Sequence, residues 1–189
     1  MSEFGYVEQS VIEWLSGKPN RTPPDCGLGW KYRTEVEMAT YGRPLEDPLV
    51  EELLVDALIR INPEIGTPAQ TAPAVAALRK VMGNPDRLQA NRETLTSLQK
   101  GATVNVKPGE DAKTVYYIAF GANDQGLNDF TATNQYKVQG VKQCRKDTVL
   151  LVNGIPLVIA EYKSIVASNH DWQEAFGSST ATSGKRRSC

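Results

Sequence analysis

The stretch KDTVLLVNGIPLVIAEYK, Lys146 to Lys163, holds two apolar runs, Val149 to Val152 and Ile155 to Ala160, separated by Asn153-Gly154. Both middle residues tolerate positive φ, which makes Asn-Gly between apolar runs the strongest short hairpin signal. Asp147 opens the first run, and Glu161 and Lys163 close the second. Residues two apart on a strand leave the same face. A hairpin also brings its outer ends together, so one acid from each strand, with a lysine beside the second, is expected to converge at one end of a buried sheet. Two carboxylates a few ångströms apart repel unless a cation lies between them. A hard divalent cation with oxygen ligands satisfies them. The structural alternative is that these charges only mark where each strand reaches water.

Strand parity adds a condition. With a two-residue loop, Val152 pairs with Ile155, Asp147 sits opposite Ala160, and Glu161 points through the other face from Asp147. A three-residue loop over 153–155, or a β-bulge in either strand, places Asp147 opposite Glu161. Pro156 cannot donate to a ladder, which favours irregularity. A longer loop or a bulge between Asp147 and Glu161 is therefore expected.

Asp147…Glu161-x-Lys163 across a hairpin resembles the core of the PD-(D/E)xK nuclease superfamily. Asn128-Asp129-Phe130, Asn134-Gln135-Tyr136, Val138-Gln139-Gly140 and Leu150 to Val158 resemble one branch more closely. That branch is the N-terminal nuclease domain of the restriction (motor, R) subunit of type I restriction–modification enzymes. Leu28-Gly29-Trp30, Ile61-Asn62-Pro63 and Asn91-Arg92-Glu93 look like the same domain, and the likeness covers most of residues 1–176. The resemblance implies a restriction-endonuclease-like α/β (α+β) fold, a mixed central sheet flanked by helices with a helical insertion. It implies Mg²⁺-dependent hydrolysis of DNA phosphodiesters after ATP-driven translocation by a motor part absent from this chain. Asp147, Glu161 and the backbone carbonyl of Tyr162 would ligate the metal, and Lys163 would orient the attacking water and stabilise the phosphate. The partners implied are double-stranded DNA and the modification and specificity subunits. Two departures stand out. Lys146 precedes Asp147 where the superfamily has Pro, and the Gln-x-x-x-Tyr pattern after the lysine is missing, since Gln173 is followed by Gly177. They support an alternative, a catalytically inert nuclease-like module that docks partner subunits.

Composition bounds these readings. A length of 189 residues suits one domain, and 40% apolar residues suffice for a core. A net charge of −1 means that DNA contact needs a local basic patch or partner subunits. Cys26, Cys144 and Cys189 are widely spaced and fit neither a disulfide framework nor a zinc site, which points to a reducing cytoplasm. No apolar run is long enough to span a membrane, and the start lacks a signal peptide's apolar segment. The lone His170, read as a surface residue on the last helix, excludes sites that need two histidines. Gly177…Gly184-Lys185 fails as a phosphate loop in its spacing, and Arg186 replaces the Ser or Thr such a loop requires, so no ATP site is expected here.

Along the chain, Phe4, Val7, Val11, Ile12 and Leu15 predict an amphipathic helix over 3–16. Glu8 lies on its apolar face, either as an outer-shell member of the metal site or as a flanking acid paired with a base. A loop is expected over 17–29 and a short strand over Trp30–Val36. Helices are expected over Glu46–Ile61, Ala74–Met82 and Asp86–Lys100, a helical scaffold at about 46–100. Arg79, Arg87 and Arg92 read as a solvated face, with phosphate contact the sharper alternative. Strands are expected over Thr103–Lys107, Lys113–Phe120, Phe130–Val138, Thr148–Val152 and Ile155–Lys163, then a helix over 169–176. Residues 1–176 would form the endonuclease domain, with its sheet and catalytic core at about 101–176. Residues 177–189 read as a low-complexity, disordered tail of the kind a fusion junction or a shifted reading frame leaves.

Overall fold

The computed structural model describes residues 3–17, 27–121, 124–140 and 143–162. The chain divides into two compact units: 1–48, 130–151 and from Pro156 onward in the first, 49–129 and 152–155 in the second. The content is mixed α/β, as expected. No helix among the described residues is long and apolar enough to cross a membrane.

The first unit is built on a four-stranded sheet. Its strands are β1 (Lys31–Arg33), β4 (Phe130–Gln139), β5 (Gln143–Val152) and β6 (Ile155–Ala160), in the order β1-β4-β5-β6. β1 pairs with β4 in parallel, Lys31 against Thr131 and Arg33 against Thr133. Helix α1 (Glu3–Ser16) lays Ile12 and Leu15 on Ala132, with Val11, Trp30 and Leu150 packed around them. Trp30 meets Phe130 edge-on, ring centroids 5.3 Å apart. The Leu15 carbonyl, one of the acceptors a helix end leaves unpaired, receives the N–H groups of Leu28 and Trp30. Helix α2 (Glu35–Ala39) stands where the expected strand Trp30–Val36 would have continued. A capping box explains it: the Thr34 hydroxyl accepts from the Glu37 N–H, and the Glu37 carboxylate accepts from the Thr34 N–H. Arg43 lies over the Tyr136 ring, 4.3 Å from its centroid, and the Tyr136 hydroxyl donates to the Pro48 carbonyl at 2.9 Å.

In the second unit, helices α3 (Glu51–Ile61), α4 (Ala72–Met82) and α5 (Arg87–Lys100) precede β2 (Ala102–Val104) and β3 (Lys113–Val115), a two-stranded antiparallel sheet of their own. The helix expected from Glu46 begins at Glu51, after Val50 takes a non-helical ψ of 89° and gives its N–H to the Gly154 carbonyl. Asp86 caps α5, accepting from the Leu88 and Gln89 N–H groups. Arg79 pairs with Glu51 at 2.7 Å. The strand expected over Lys113–Phe120 stops at Val115. Beyond it the buried Asn62 side chain takes over the pairing: its amide donates to the Tyr116 carbonyl and its oxygen accepts the Tyr116 N–H. Tyr117, fully buried, donates its hydroxyl to the Ala74 carbonyl at 2.7 Å. The expected helix 169–176 and the tail 177–189 lie outside the described residues.

The turn residues Asn153 and Gly154 do more than reverse the chain. The Asn153 side chain is completely buried. Its amide donates to the Tyr117 carbonyl and to Asn128 Oδ1, and its oxygen accepts the Asp129 N–H at 2.7 Å. Its own N–H donates to the Asp129 carbonyl. Gly154 accepts the Val50 N–H at 2.9 Å, and a Cβ there would stand 2.4 Å from the Val50 carbonyl oxygen.

Buried groups stranded without partners cost about 1–3 kcal/mol each. Asn153→Ala should therefore lower the urea-unfolding free energy by about 2–4 kcal/mol. Asn153→Gly, which keeps the left-handed backbone but not the bonds, should recover less than half of that. Gly154→Ala should be at least as damaging, through the clash with Val50. Equal stability of wild type and Asn153→Gly would show that the side chain is only a turn former.

Burial pushes the phenols of Tyr117 and Tyr136 up to about 12; at Tyr136 the neighbouring Arg43 opposes the shift and Asp47 adds to it. A raised folded-state pKa favours the protonated form in the native state. The stability it contributes is complete below the unfolded tyrosine value of about 10 and is lost as pH rises through about 12. The melting temperature should fall over that window, and less so in Tyr117→Phe. Phenolate absorbance at 295 nm during the same titration would check that these tyrosines ionise late.

Candidate metal centre at the end of the β5–β6 hairpin

Asn153 (φ 54) and Gly154 (φ 76) close the hairpin alone, both in the left-handed region that a two-residue type I′ turn requires. β5 runs to Val152 and β6 starts at Ile155, so the expected three-residue loop is absent. Residues equidistant from a hairpin turn face each other. Lys146 and Glu161 are equidistant, and their side chains form an ion pair at 3.0 Å. That pairing matches a regular two-residue register and calls for no bulge. Pro156 is accommodated because β6 is the outer strand: one residue past the closing pair, its nitrogen faces away from β5. β6 is also less buried than its apolar sequence suggests, with Leu157, Val158 and Ile159 45%, 49% and 57% exposed.

The two candidate acids thus have different partners. Glu161 pairs with Lys146, while Asp147 Oδ2 accepts the Tyr162 N–H at 2.8 Å. The Lys146–Glu161 pair keeps Glu161 in the two-residue register, while the N–H of the following residue, Tyr162, comes within hydrogen-bonding distance of Asp147. Asp147 and the Glu161-Tyr162 segment are therefore neighbours despite the regular turn. Lys163 lies outside the described residues, as does His170. Among the described residues, no group of three or more His, Cys, Asp or Glu side chains could hold a metal ion. The described residues give the two carboxylates separate partners, Lys146 for Glu161 and the Tyr162 N–H for Asp147. The Thr148 hydroxyl and the Tyr162 phenol are buried without a hydrogen-bond partner on either side of this contact.

Glu8 is half-buried on α1 and faces β4, not solvent: its carboxylate accepts from Gln135 Nε2 at 3.3 Å. Gln135 carries a left-handed backbone (φ 56) inside β4. For a residue with a Cβ this costs roughly 1–2 kcal/mol, which surrounding structure must offset. β4 ends at Gln139 and β5 begins at Gln143, so Gln135 and Asp147 are equidistant from the connection between them. Residues so placed share a face when the pairing is regular. Tyr32 joins this cluster, donating to Asn134 Oδ1. Burial raises its pKa, Glu8 and Glu37 raise it further, and the bond to Asn134 opposes them. Neither Gln135 nor Lys146 was given a role on sequence grounds. The Lys146–Glu161 pair was readable from equal distance to Asn153-Gly154; the φ of Gln135 had no signal in its residue type. Cys144 is disulfide-bonded, against the expectation that the cysteines form no disulfide framework.

The family model described as "Type I restriction enzyme R protein N terminus" matches residues 25–184. The Type I restriction enzyme HindI endonuclease subunit of Haemophilus influenzae is 26% identical over 156 residues, 79% of this chain and 15% of that protein. A protein of Methanocaldococcus jannaschii named "Putative type I restriction enzyme MjaIXP endonuclease subunit" is 26% identical over 183 residues, 93% of this chain and 16% of its own length. The chain thus spans only 15–16% of these relatives. No solved structure matches. With a match over most of its length, the chain belongs to the family of type I restriction enzyme R protein N-termini.

Proposed function

We propose that this chain is the endonuclease domain of a type I restriction enzyme R subunit and supports Mg²⁺-dependent hydrolysis of DNA phosphodiesters. The observation that carries the reading is the 2.8 Å contact between Asp147 Oδ2 and the Tyr162 N–H, which brings the first acid onto the Glu-x-Lys segment. Asp147, Glu161 and the Tyr162 carbonyl are the groups that would hold the cation, with Glu8 in an outer position through Gln135. When bound, a magnesium ion supplies charge neutralisation at the scissile phosphate and a more acidic water. The Asp147 bond to the Tyr162 N–H fixes the acid against the peptide whose next residue is Lys163. Lys163 is assigned to orient the attacking water and to stabilise charge on the phosphate oxygens. Two relatives named as endonuclease subunits support the reading. ATP-driven translocation, double-stranded DNA, modification and specificity subunits and a cytoplasmic setting come with it as proposals for the longer protein.

A second reading has an observation of its own. The two-residue turn and the Lys146–Glu161 pair leave the two acids with separate partners, as a nuclease-like module retained only for docking would allow.

Asp147→Asn separates the two. It keeps an oxygen to accept the Tyr162 N–H but removes the charge a divalent cation needs. In the full-length subunit with its partners, Asp147→Asn and Lys163→Ala should each reduce Mg²⁺-dependent plasmid cleavage at least about 100-fold, with a melting temperature within a few degrees of wild type. Cleavage by Asp147→Asn at the wild-type rate would leave the docking reading.

A further inference from the structure

Helix α5 buries Ala90 and Leu98 and turns its opposite face to solvent. On that face Leu88 and Leu95 are 71% and 56% exposed. They lie in line along the helix, two turns or about 10 Å apart, with Arg92 between them. Gln99 continues the line and is exposed as well. A single exposed leucine is ordinary on a protein surface. Two in register on one helix face, with a guanidinium between them, have the composition of an interface centre.

The charge of this helix is one-sided. α5 carries Arg87, Arg92 and Lys100 against one acid, Glu93, which is half-buried and accepts from Asn84 and Gln89. Arg79 on α4 has Glu51 at 2.7 Å. Among the described residues no acid neutralises Arg92 in this way. A guanidinium covered by another surface without an acid would be an uncompensated buried charge, so a surface that covers the leucines must also bring a carboxylate to Arg92. Nucleic acid would supply charge but little apolar surface for two leucines. The ready-made anion position on α5, its N-terminus, is already taken by the Asp86 carboxylate.

We propose that the Leu88–Arg92–Leu95 face of α5 is a docking surface for an acidic amphipathic helix of a partner protein, with apolar residues seated on the two leucines and a carboxylate between them paired with Arg92. The planar fork of the guanidinium engages a carboxylate through two parallel hydrogen bonds, which fixes the register of the incoming helix. This surface does not depend on whether the end of the β5–β6 hairpin holds a metal.

The test uses the 189-residue chain and two fluorescein-labelled helical peptides with leucines at i and i+7. One carries glutamates at i+3 and i+4, the other lysines at the same places. The glutamate peptide should bind with a Kd of about 100 μM or tighter by anisotropy, and the lysine peptide at least about tenfold more weakly. Arg92→Glu should reverse that preference, and Leu95→Ser should weaken the glutamate peptide about tenfold. Both positions are exposed, so both variants should melt within a few degrees of wild type. No binding of the glutamate peptide, or unchanged binding by Arg92→Glu, would overturn the proposal. A short DNA duplex that displaces the glutamate peptide, and whose own binding is lost in Arg92→Glu but kept in Leu95→Ser, would assign the face to nucleic acid and overturn it too. Concentration-dependent self-association in sedimentation, lost in Leu95→Ser, would make the occupant a second copy instead of a partner protein.

Discussion

The buried Asn153 side chain is the interaction on which the rest depends. One amide satisfies the Tyr117 carbonyl, the Asn128 side chain and the Asp129 N–H, groups contributed by two separate stretches of chain. Such a residue must combine a short planar amide with tolerance of left-handed backbone, which among polar residues only Asn and Asp do readily. Asp would bring a buried charge and no donor. The turn type and the polar network therefore select the same residue, and the turn type fixes the register of β5 against β6. Which charged groups meet at the far end of the hairpin follows from that register.

Much of this was legible in the sequence where one local signal dominated. Asn153-Gly154 announced the turn, and Thr34…Glu37 carried a capping box hidden inside a strand-like run. Strand ends were less legible, because they depend on what satisfies the next backbone groups. β3 stops at Val115 since the Asn62 side chain, distant in sequence, supplies the following hydrogen bonds. The site was half legible. Parity correctly flags a conflict between a two-residue turn and a shared ligand set. It pairs Glu161 with Lys146 but does not by itself announce that the Tyr162 N–H reaches Asp147.

The cluster on β4 shows a different limit. Gln135 holds an unfavourable backbone conformation while its side chain reaches Glu8 on α1. Residue type alone predicts neither the conformation nor the contact; both need the helix in place, seated by Ile12 and Leu15 on Ala132. Packing of apolar residues thus sets the position of an acid that periodicity could place only on a helix face.

The outer strand has a consequence for how such a domain behaves when handled alone. Among the described residues β6 is the outer strand of its sheet, with Leu157, Val158 and Ile159 half exposed along it. Short, uncharged β-branched runs on an open edge are templates for another copy of themselves. Pro156 blunts only the start of that edge, by withholding one donor. Colloidal behaviour at high concentration should therefore be governed by these three side chains, not by the chain's net charge of −1.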